Sequence, residues 1–325
     1  MKILVTGGAG FIGSNFLYYA LAAHGEDSFV CLDKLTYAGN EETLRPLFGD
    51  PRFRFCRGDI CDRGTVFSLF EREQPDAVVN FAAESHVDRS IASPEVFMQT
   101  NAVGVCVLLE ACRAFGGVRF HQVSTDEVYG DLPLSGGEPF TETSPLRPGS
   151  PYAASKAAGD LYALAAYRTY RVPVTVSRSS NNYGRFQYPE KLIPLAVSRL
   201  LSGEKVPVYG TGENVRDWIA VSDHCRAIDC ILRRGKAGEV YNVSAECEVS
   251  NLTLVRRLCR LLGYPEDAYT FVQDRKGHDL RYALSAEKLR ALGWAPEVAF
   301  GQGLAETAAW YLHNKDWWQP LLKKD

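Results

Sequence analysis

The chain predicts an α/β fold, a doubly wound parallel sheet joined to a smaller, interleaved C-terminal α/β part. Three observations carry this. Strand-length apolar runs alternate with helix-length amphipathic segments as far as about residue 180. Runs such as Phe29–Leu32 are continuously apolar, the pattern of strands covered on both faces. A glycine-rich turn joins the first run to the first helix, the arrangement of a Rossmann-type sheet.

Taken in order, Ile3–Thr6 is the first strand, and Thr6-Gly7-Gly8-Ala9-Gly10-Phe11-Ile12-Gly13 leads from it into a helix over Phe11–Ala23. Gly7, Gly10 and Gly13 allow a tight turn, close approach of a pyrophosphate and close helix–strand packing, with the free N–H groups of the helix start facing the phosphates. Phe29–Leu32 is the second strand, and Asp33 at its end stands twenty residues beyond Gly13. There a carboxylate accepts hydrogen bonds from a ribose diol and repels a 2′-phosphate, which favours NAD over NADP, with Lys34 beside it. Phe53–Cys56 follows as a strand. Asp59 of Gly58-Asp59-Ile60 then either meets the adenine edge or caps the helix Arg63–Glu71. Ala77–Phe81 is the fourth strand, and the small residues of Phe81-Ala82-Ala83 let the backbone approach a flat ligand. A helix over Glu95–Phe115, a strand over Val118–Val123, a helix over Tyr152–Tyr170 and a strand over Val172–Ser177 complete this part. Between the last two helices, the Gly- and Pro-rich Asp131–Pro151 reads as a loop able to sit over a site. Beyond 180 the elements are shorter: helices at Lys191–Leu201, Asp223–Arg233, Leu252–Leu262 and Gly303–Asn314, and strands at Val206–Tyr209 and Val215–Ile219.

Composition narrows the function. With 46% hydrophobic and 23% charged residues and a net charge of −3, the chain of 325 residues has no electrostatic case for nucleic acid or an anionic membrane surface. Nine cysteines without a Cys-x-x-Cys pair read as reduced, mostly buried thiols. No apolar run approaches the roughly 20 residues of a membrane span, and the first residues already form a strand, with no room for a signal peptide. A soluble cytoplasmic protein is expected.

The chemistry concentrates in Ser124-Thr125-Asp126-Glu127-Val128-Tyr129-Gly130 and Tyr152-Ala153-Ala154-Ser155-Lys156. A tyrosine and a lysine one helical turn apart can face one cofactor. Two adjacent carboxylates just past a strand add an acid and a base. A redox pair alone implies a dehydrogenase; joined to an acid and a base, it implies an oxidation that enables a proton-transfer step such as elimination. His86 and Asp88 have no third ligand at useful spacing, so no metal site is expected.

On these residues the chain resembles the extended short-chain dehydrogenase/reductase superfamily, through TGGAGFIG and YAASK. Within it the pattern is similar to the nucleoside-diphosphate-glucose 4,6-dehydratases, specifically those acting on dTDP-glucose. The similarity runs through DKLTYAGN at 33–40, GDICD at 58–62, NFAAESHVDRS at 80–90, STDEVYG at 124–130, SPYAASKA at 150–157, NNYG at 181–184, PEKLIPL at 189–195, RDW at 216–218 and KGHDLRY at 276–282. It implies residues 1–180 as an NAD-binding part that also carries the catalytic groups, residues 181–325 as a nucleotide-sugar-binding part with a soft boundary, and a homodimer. Tyr152 would take the proton of the sugar C4 hydroxyl as hydride leaves C4 for NAD⁺. Lys156 and the nicotinamide charge would lower its phenol from about 10, Lys156 would hold the nicotinamide ribose, and Thr125 would donate to the C4 oxygen. Glu127 would be the base at C5 and Asp126 the acid for the departing C6 hydroxyl; crowding of the two carboxylates keeps one protonated.

The same resemblance adds Phe11, Ile12, Thr36, Gly39, Ile60, Ser85, Thr100 and Asn182 to the cofactor contacts. It puts Ser85 and Asn181 at the sugar, and Lys191 and Leu192 by the diphosphate and base. Pro207, Tyr209, Asn251 and Tyr282 join the substrate site, with Arg216, Arg275 and His278 clamping diphosphate and nucleoside. Arg185 and Phe186 after Asn-Asn-Tyr-Gly, where a proline is common, and Ser179, where a cysteine is common, bear on the choice of base. The alternatives are the same chemistry on UDP-glucose or a UDP-N-acetylhexosamine, UDP-glucuronate decarboxylation, and a non-catalytic NAD sensor. The intact Asp126-Glu127 pair and the intact Tyr152 and Lys156 argue against the last two.

Overall fold

A computed structural model describes residues 1–274 and 277–323. Its strands are β1 (Lys2–Thr6), β2 (Ser28–Asp33), β3 (Phe53–Arg57), β4 (Ala77–Asn80), β5 (Arg119–Thr125), β6 (Val174–Ser179), β7 (Asn181–Tyr183), β8 (Val206–Tyr209), β9 (Val215–Ala220), β10 (Glu239–Val243), β11 (Glu248–Ser250) and β12 (Tyr269–Val272). Seven form one parallel sheet in the order β10-β6-β5-β4-β1-β2-β3. The sequence of connections reverses between β1 and β4, which opens a crevice at the carboxyl ends of those strands.

Continuous apolar strands require cover on both faces, and both are covered. Ile3, Val5, Phe29 and Val79 pack with Phe16, Leu17 and Ile228 from the Phe11–Ala23 and Val221–Arg234 helices. Leu4, Val78, Phe120 and Val176 pack with Leu69, Leu108 and Ala163 from the Arg63–Glu73, Val105–Ala114 and Pro151–Tyr170 helices.

Strand β10 was not anticipated. Its short Glu-Val-Tyr-Asn-Val mixes polar with apolar residues and follows no strand period, yet it pairs with β6 at the sheet edge, so residues beyond 180 complete the sheet of the first part. The remaining strands form a three-stranded sheet, β11-β9-β7, and the pair β12-β8. These pack on the Leu192–Leu201, Asn251–Leu261 and Phe300–His313 helices around Tyr183, Ile193, Trp218, Leu254, Leu304 and Tyr311.

The expected helix at Glu95–Phe115 is a continuous rod, Pro94–Ala114, with a π-helical segment at Gln99–Gly104. Contrary to the sequence reading, its length and hydropathy reach those of a membrane span. Half of it is buried inside the protein, and its apolar excess packs against the sheet and the Pro151–Tyr170 helix. The nine cysteines are all free thiols, four of them buried and five partly so.

Candidate active site

The glycine turn works by close approach. Gly7 has φ 68°, and a Cβ there would stand 2.5 Å from the Ala82 backbone nitrogen; a Cβ on Gly13 would stand 2.4 Å from the Gly7 carbonyl oxygen. Only hydrogen fits at either position, and the turn therefore sits flush against the end of β4. Asp33 anchors its far side, with Oδ2 accepting from Ala9 N at 2.9 Å and Oδ1 from Leu35 N at 2.8 Å. Burial pushes the Asp33 carboxyl up, and those two N–H groups work against the shift. Each oxygen keeps lone pairs for further donors such as a ribose diol. Next to it, Lys34 Nζ lies 2.6 Å from Asp59 Oδ2.

These residues line one cleft of about 340 Å³, together with Phe11, Ile12, Thr36, Gly39, Ile60, Phe81, Ala82, Ala83, Ser85, Thr100, Tyr152, Lys156 and Lys191. The glycine turn, the Asp33 acceptors and the elongated cleft fit a dinucleotide. Sequence reasoning missed Glu84, Val96, Gln187, Tyr188 and Glu190, which also line it. Glu84 and Glu190 stand inside the quoted NFAAESHVDRS and PEKLIPL motifs, so the signal was present without an assigned use. Glu190 accepts from the Tyr37 hydroxyl at 3.1 Å and faces His86 Nε2 at 3.4 Å; Lys191 Nζ donates to the Ser85 carbonyl at 3.2 Å. Asn182 stands apart from the cleft lining. Its amide donates to Ser179 Oγ and the Ser180 carbonyl, and its Oδ1 meets His224 Nδ1 at 2.8 Å.

Ser150 starts the catalytic helix by accepting from Ala153 N at 3.1 Å, with Pro151 in the first helical position. Tyr152 and Lys156, one turn apart, thus reach the cleft from one helix face. Lys156 Nζ donates to the Val123 carbonyl at 2.7 Å, and burial lowers its ammonium to about 8. One turn further on, Asp160 is buried and paired with Arg178 at 2.9 Å, and Arg178 also donates to the Tyr129 hydroxyl at 3.0 Å.

The lowered Tyr152 phenol expected above depends on the nicotinamide charge together with Lys156. Within the polypeptide alone, burial raises it well above its ordinary value and the Glu127 carboxylate adds to that, with the nearby Thr125 hydroxyl opposing them. Asp126 is shifted in the opposite sense to an exposed carboxylate. Burial raises its carboxyl well above the usual range, with Glu127 and then Asp217 adding to the shift. Thr125 Oγ1 donates to Asp126 Oδ1 at 3.2 Å, and Asp126 Oδ2 is buried without a hydrogen-bond partner among the described residues.

The expected substrate residues surround this core unevenly. Arg216 is buried, with its guanidinium on the Val215 and Asp279 carbonyls and 4.6 Å from the Tyr282 ring. Tyr282 donates to Asp279 and feels the Glu127 charge. His278 meets Asp274 at 2.6 Å, near the half-exposed Tyr209. Asn181 lies in β7 and Pro207 in β8, while Leu192 and Asn251 begin helices; none of them lines the cleft described above. Arg275 lies outside the described residues. Phe186 and Arg185 act in packing: Phe186 stacks on Tyr18 and meets Trp310 and Trp317, and Arg185 donates to Asn15 at 3.0 Å.

A Rossmann-type sheet, a glycine turn backed by an acid, and a Tyr-x-x-x-Lys helix on the cleft wall define a nucleotide-dependent enzyme of the extended short-chain dehydrogenase/reductase class. The model of the GDP-mannose 4,6 dehydratase family matches residues 4–307. A dTDP-glucose 4,6-dehydratase of Haemophilus influenzae is 48% identical, covering 97% of this chain and 98% of its own, and one of Streptomyces niveus is 50% identical, covering 100% and 97%. The crystal structure of the dTDP-glucose 4,6-dehydratase of Streptomyces venezuelae, bound to NAD and dTDP, superposes with a TM-score of 0.95 at 49% identity over 99% of this chain and 100% of that one. The chain belongs to the family of dTDP-glucose 4,6-dehydratases.

Proposed function

We propose that the chain is an NAD-dependent hydro-lyase that converts dTDP-glucose to dTDP-4-keto-6-deoxyglucose. The observation that carries this reading is the run of buried Thr125 and Asp126 and half-buried Glu127 beside Tyr152, in which burial and the neighbouring Glu127 raise the Asp126 carboxyl well above the usual range. The glycine turn, Asp33, Lys34, Asp59, Thr100 and Lys156 would hold NAD, which when bound would supply reversible hydride chemistry to the sugar. Of its three ammonium donors Lys156 gives one to Val123, which leaves two for a ribose.

The residues of the chain handle the protons. Tyr152 takes the C4 hydroxyl proton while Thr125 donates to the C4 oxygen. The ketone so formed acidifies C5–H, Glu127 removes that proton, and Asp126 protonates the departing C6 hydroxyl. Glu127 then returns its proton to C5. Ser85, Asn181, Lys191, Leu192, Pro207, Tyr209, Arg216, Asn251, Arg275, His278 and Tyr282 form the nucleotide-sugar site in this reading, with residues 1–180 chiefly binding the cofactor and residues 181–325 chiefly binding the substrate. A cytoplasmic homodimer belongs to the same proposal. Val103, Leu161, Tyr162 and Tyr170 are exposed on the two apolar helices, and a second copy of the chain is the surface that would cover them.

Incubation of the purified protein with dTDP-glucose and, separately, UDP-glucose, followed by the alkali-induced absorbance of a keto sugar, tests the reading. Product from dTDP-glucose in excess over UDP-glucose supports it. Equal or reversed preference moves the substrate to the UDP sugars.

A further inference from the structure

The groups assigned to the two halves of the reaction stand on different elements. Tyr152 and Lys156 belong to the Pro151–Tyr170 helix, and Thr125 is still in the β5 ladder, in register with Ser179 of β6. Asp126 and Glu127 come after the ladder ends, in the four-residue 3₁₀ turn Asp126–Tyr129. A single 3₁₀ turn has few hydrogen bonds of its own, and those are poorly shaped. The placing of its two carboxylates therefore depends on what grips the turn from outside.

A buried polar bridge grips it at its last residue. The hydroxyl of buried Tyr129 accepts from Arg178 Nη1 at 3.0 Å and donates to Asn242 Oδ1 at 2.8 Å. Arg178, also buried, turns its Nε to Asp160 Oδ2 at 2.9 Å. Asp160 is buried on the Pro151–Tyr170 helix, four residues beyond Lys156 and eight beyond Tyr152, so all three stand toward one side of it. Asn242, in β10, donates its amide to the Phe140 carbonyl at 3.0 Å, and the Phe140 ring stacks on Tyr129 at 5.1 Å. One hydroxyl thus joins the turn, the catalytic helix, the sheet edge and the loop that follows the turn.

Tyr129, Arg178, Asp160 and Asn242 do not line the cofactor cleft, and no step of the reaction uses them. A buried ion pair is weak evidence for stability, because desolvation offsets its attraction. What the pair supplies is geometry: a planar guanidinium with donors in a rigid fork fixes the distance between carboxylate and phenol. We propose that Tyr129, gripped by Arg178 and Asp160, is a positioning residue that sets the Asp126–Tyr129 turn against the Tyr152-Lys156 helix. It keeps the elimination groups in register with a sugar held by the oxidation groups. Its influence falls on one half of the reaction. When the hydroxyl is lost, Thr125 keeps its ladder and Tyr152 and Lys156 keep their helix, whereas Asp126 and Glu127 lose the polar anchor of their turn.

The inference rests on the dehydratase reading and is tested with two variants that break the same link from opposite sides. Tyr129→Phe keeps the ring on Phe140 and removes the hydroxyl. Arg178→Lys keeps a positive charge beside Asp160 and lacks the fork that reaches both partners. Each holoenzyme is mixed rapidly with dTDP-glucose. Reduced-nicotinamide absorbance reads the oxidation, the mass of the quenched sugar nucleotide reads the loss of water, and Tm is measured alongside. Both variants are expected to oxidise within about twofold of the parent's rate, to lose water about tenfold more slowly, and so to hold more reduced cofactor in the steady state. A merely structural bridge would lower Tm and leave the ratio of water loss to oxidation at the parent's value. That unchanged ratio overturns the proposal, whether both rates hold or both fall together; if Tyr129→Phe does not fold, Arg178→Lys decides by the same ratio. A parent that forms no keto sugar at all overturns the dehydratase reading, and the positioning role with it.

Discussion

Asp126 and Tyr152 are both buried, both beside Glu127 and both raised above their ordinary ranges. A protonated carboxyl and a carboxylate can thus coexist near neutral pH, which is what an elimination asks of its acid and its base. Glu127→Gln removes the base while leaving Tyr152, Lys156 and Thr125 intact. Reduced-nicotinamide absorbance should therefore appear and persist, with formation of the 6-deoxy product slowed about 10²–10⁴-fold. Asp126→Asn should give a milder loss, and Tyr152→Phe should block the absorbance change itself. If both carboxylate variants dehydrate at the parent's rate, the pair plays no acid–base part. A second residue-scale expectation concerns His224, which burial lowers to about 3 and which keeps its Nε2 without a partner among the described residues. An unfolded histidine titrates near about 6.5. Its folded value is depressed, so its contribution to stability is present above about 6.5 and is lost as the pH falls from there toward 3, by up to about 1.4 kcal/mol per pH unit. Urea unfolding of His224→Gln at a series of pH values should show a shallower acid loss than the parent; identical slopes would mean that the ring does not govern acid lability.

At the scale of elements, the Pro151–Tyr170 helix serves three surfaces. Its start presents Tyr152 and Lys156 to the cleft, its middle packs Ala163 and Ala166 on the sheet, and its outer side leaves Leu161 and Tyr162 exposed. Its hydrophobic residues therefore follow no single stripe, as a helix buried on two sides requires. Leu161→Glu, at 57% exposure, costs the monomer little because the side chain has little to lose there. In a dimer formed through this face the same carboxylate would be buried in a desolvated contact. Light scattering at micromolar protein should give a dimer mass for the parent and a shift toward monomer for the variant. A parent of monomer mass would refute the interface.

At the scale of the whole molecule, the cofactor cleft is bounded by loops after β1, β2, β3 and β4 and by residues 187–191 of the later part, so a bound dinucleotide ties together segments far apart in sequence. A ligand that binds only the folded state stabilises it by about 2.7 kcal/mol at a hundredfold excess over Kd. Because the hydride is returned within the turnover, release of the cofactor between cycles serves no step. The purified protein should therefore release a nicotinamide nucleotide on denaturation, and stripping it should lower Tm by a few degrees, restored by NAD more than by NADP. A preparation free of nicotinamide, with no Tm response to NAD, would count against the cofactor assignment.

Local pattern determined most of the scaffold and the chemistry. Strand-length apolar runs set β1, β2 and β4, the glycine spacing and Asp33 set the turn, and the i, i+4 spacing of Tyr152 and Lys156 put both on one helix face at the cleft, because each of these is a property of neighbouring residues. Tertiary structure decided what depends on distant ones. It recruited β10, whose five mixed residues carry no periodic signal of a sheet strand, and it drew Asn182 to His224 and away from the cleft lining. It also decided how deeply Tyr152 is buried, since the desolvation around a phenol is set by everything packed against it. The hydrogen bond that joins Lys156 to the Val123 carbonyl spans 33 positions, beyond the reach of any periodicity, and arises only when the end of β5 and the start of the Pro151–Tyr170 helix meet at the crevice.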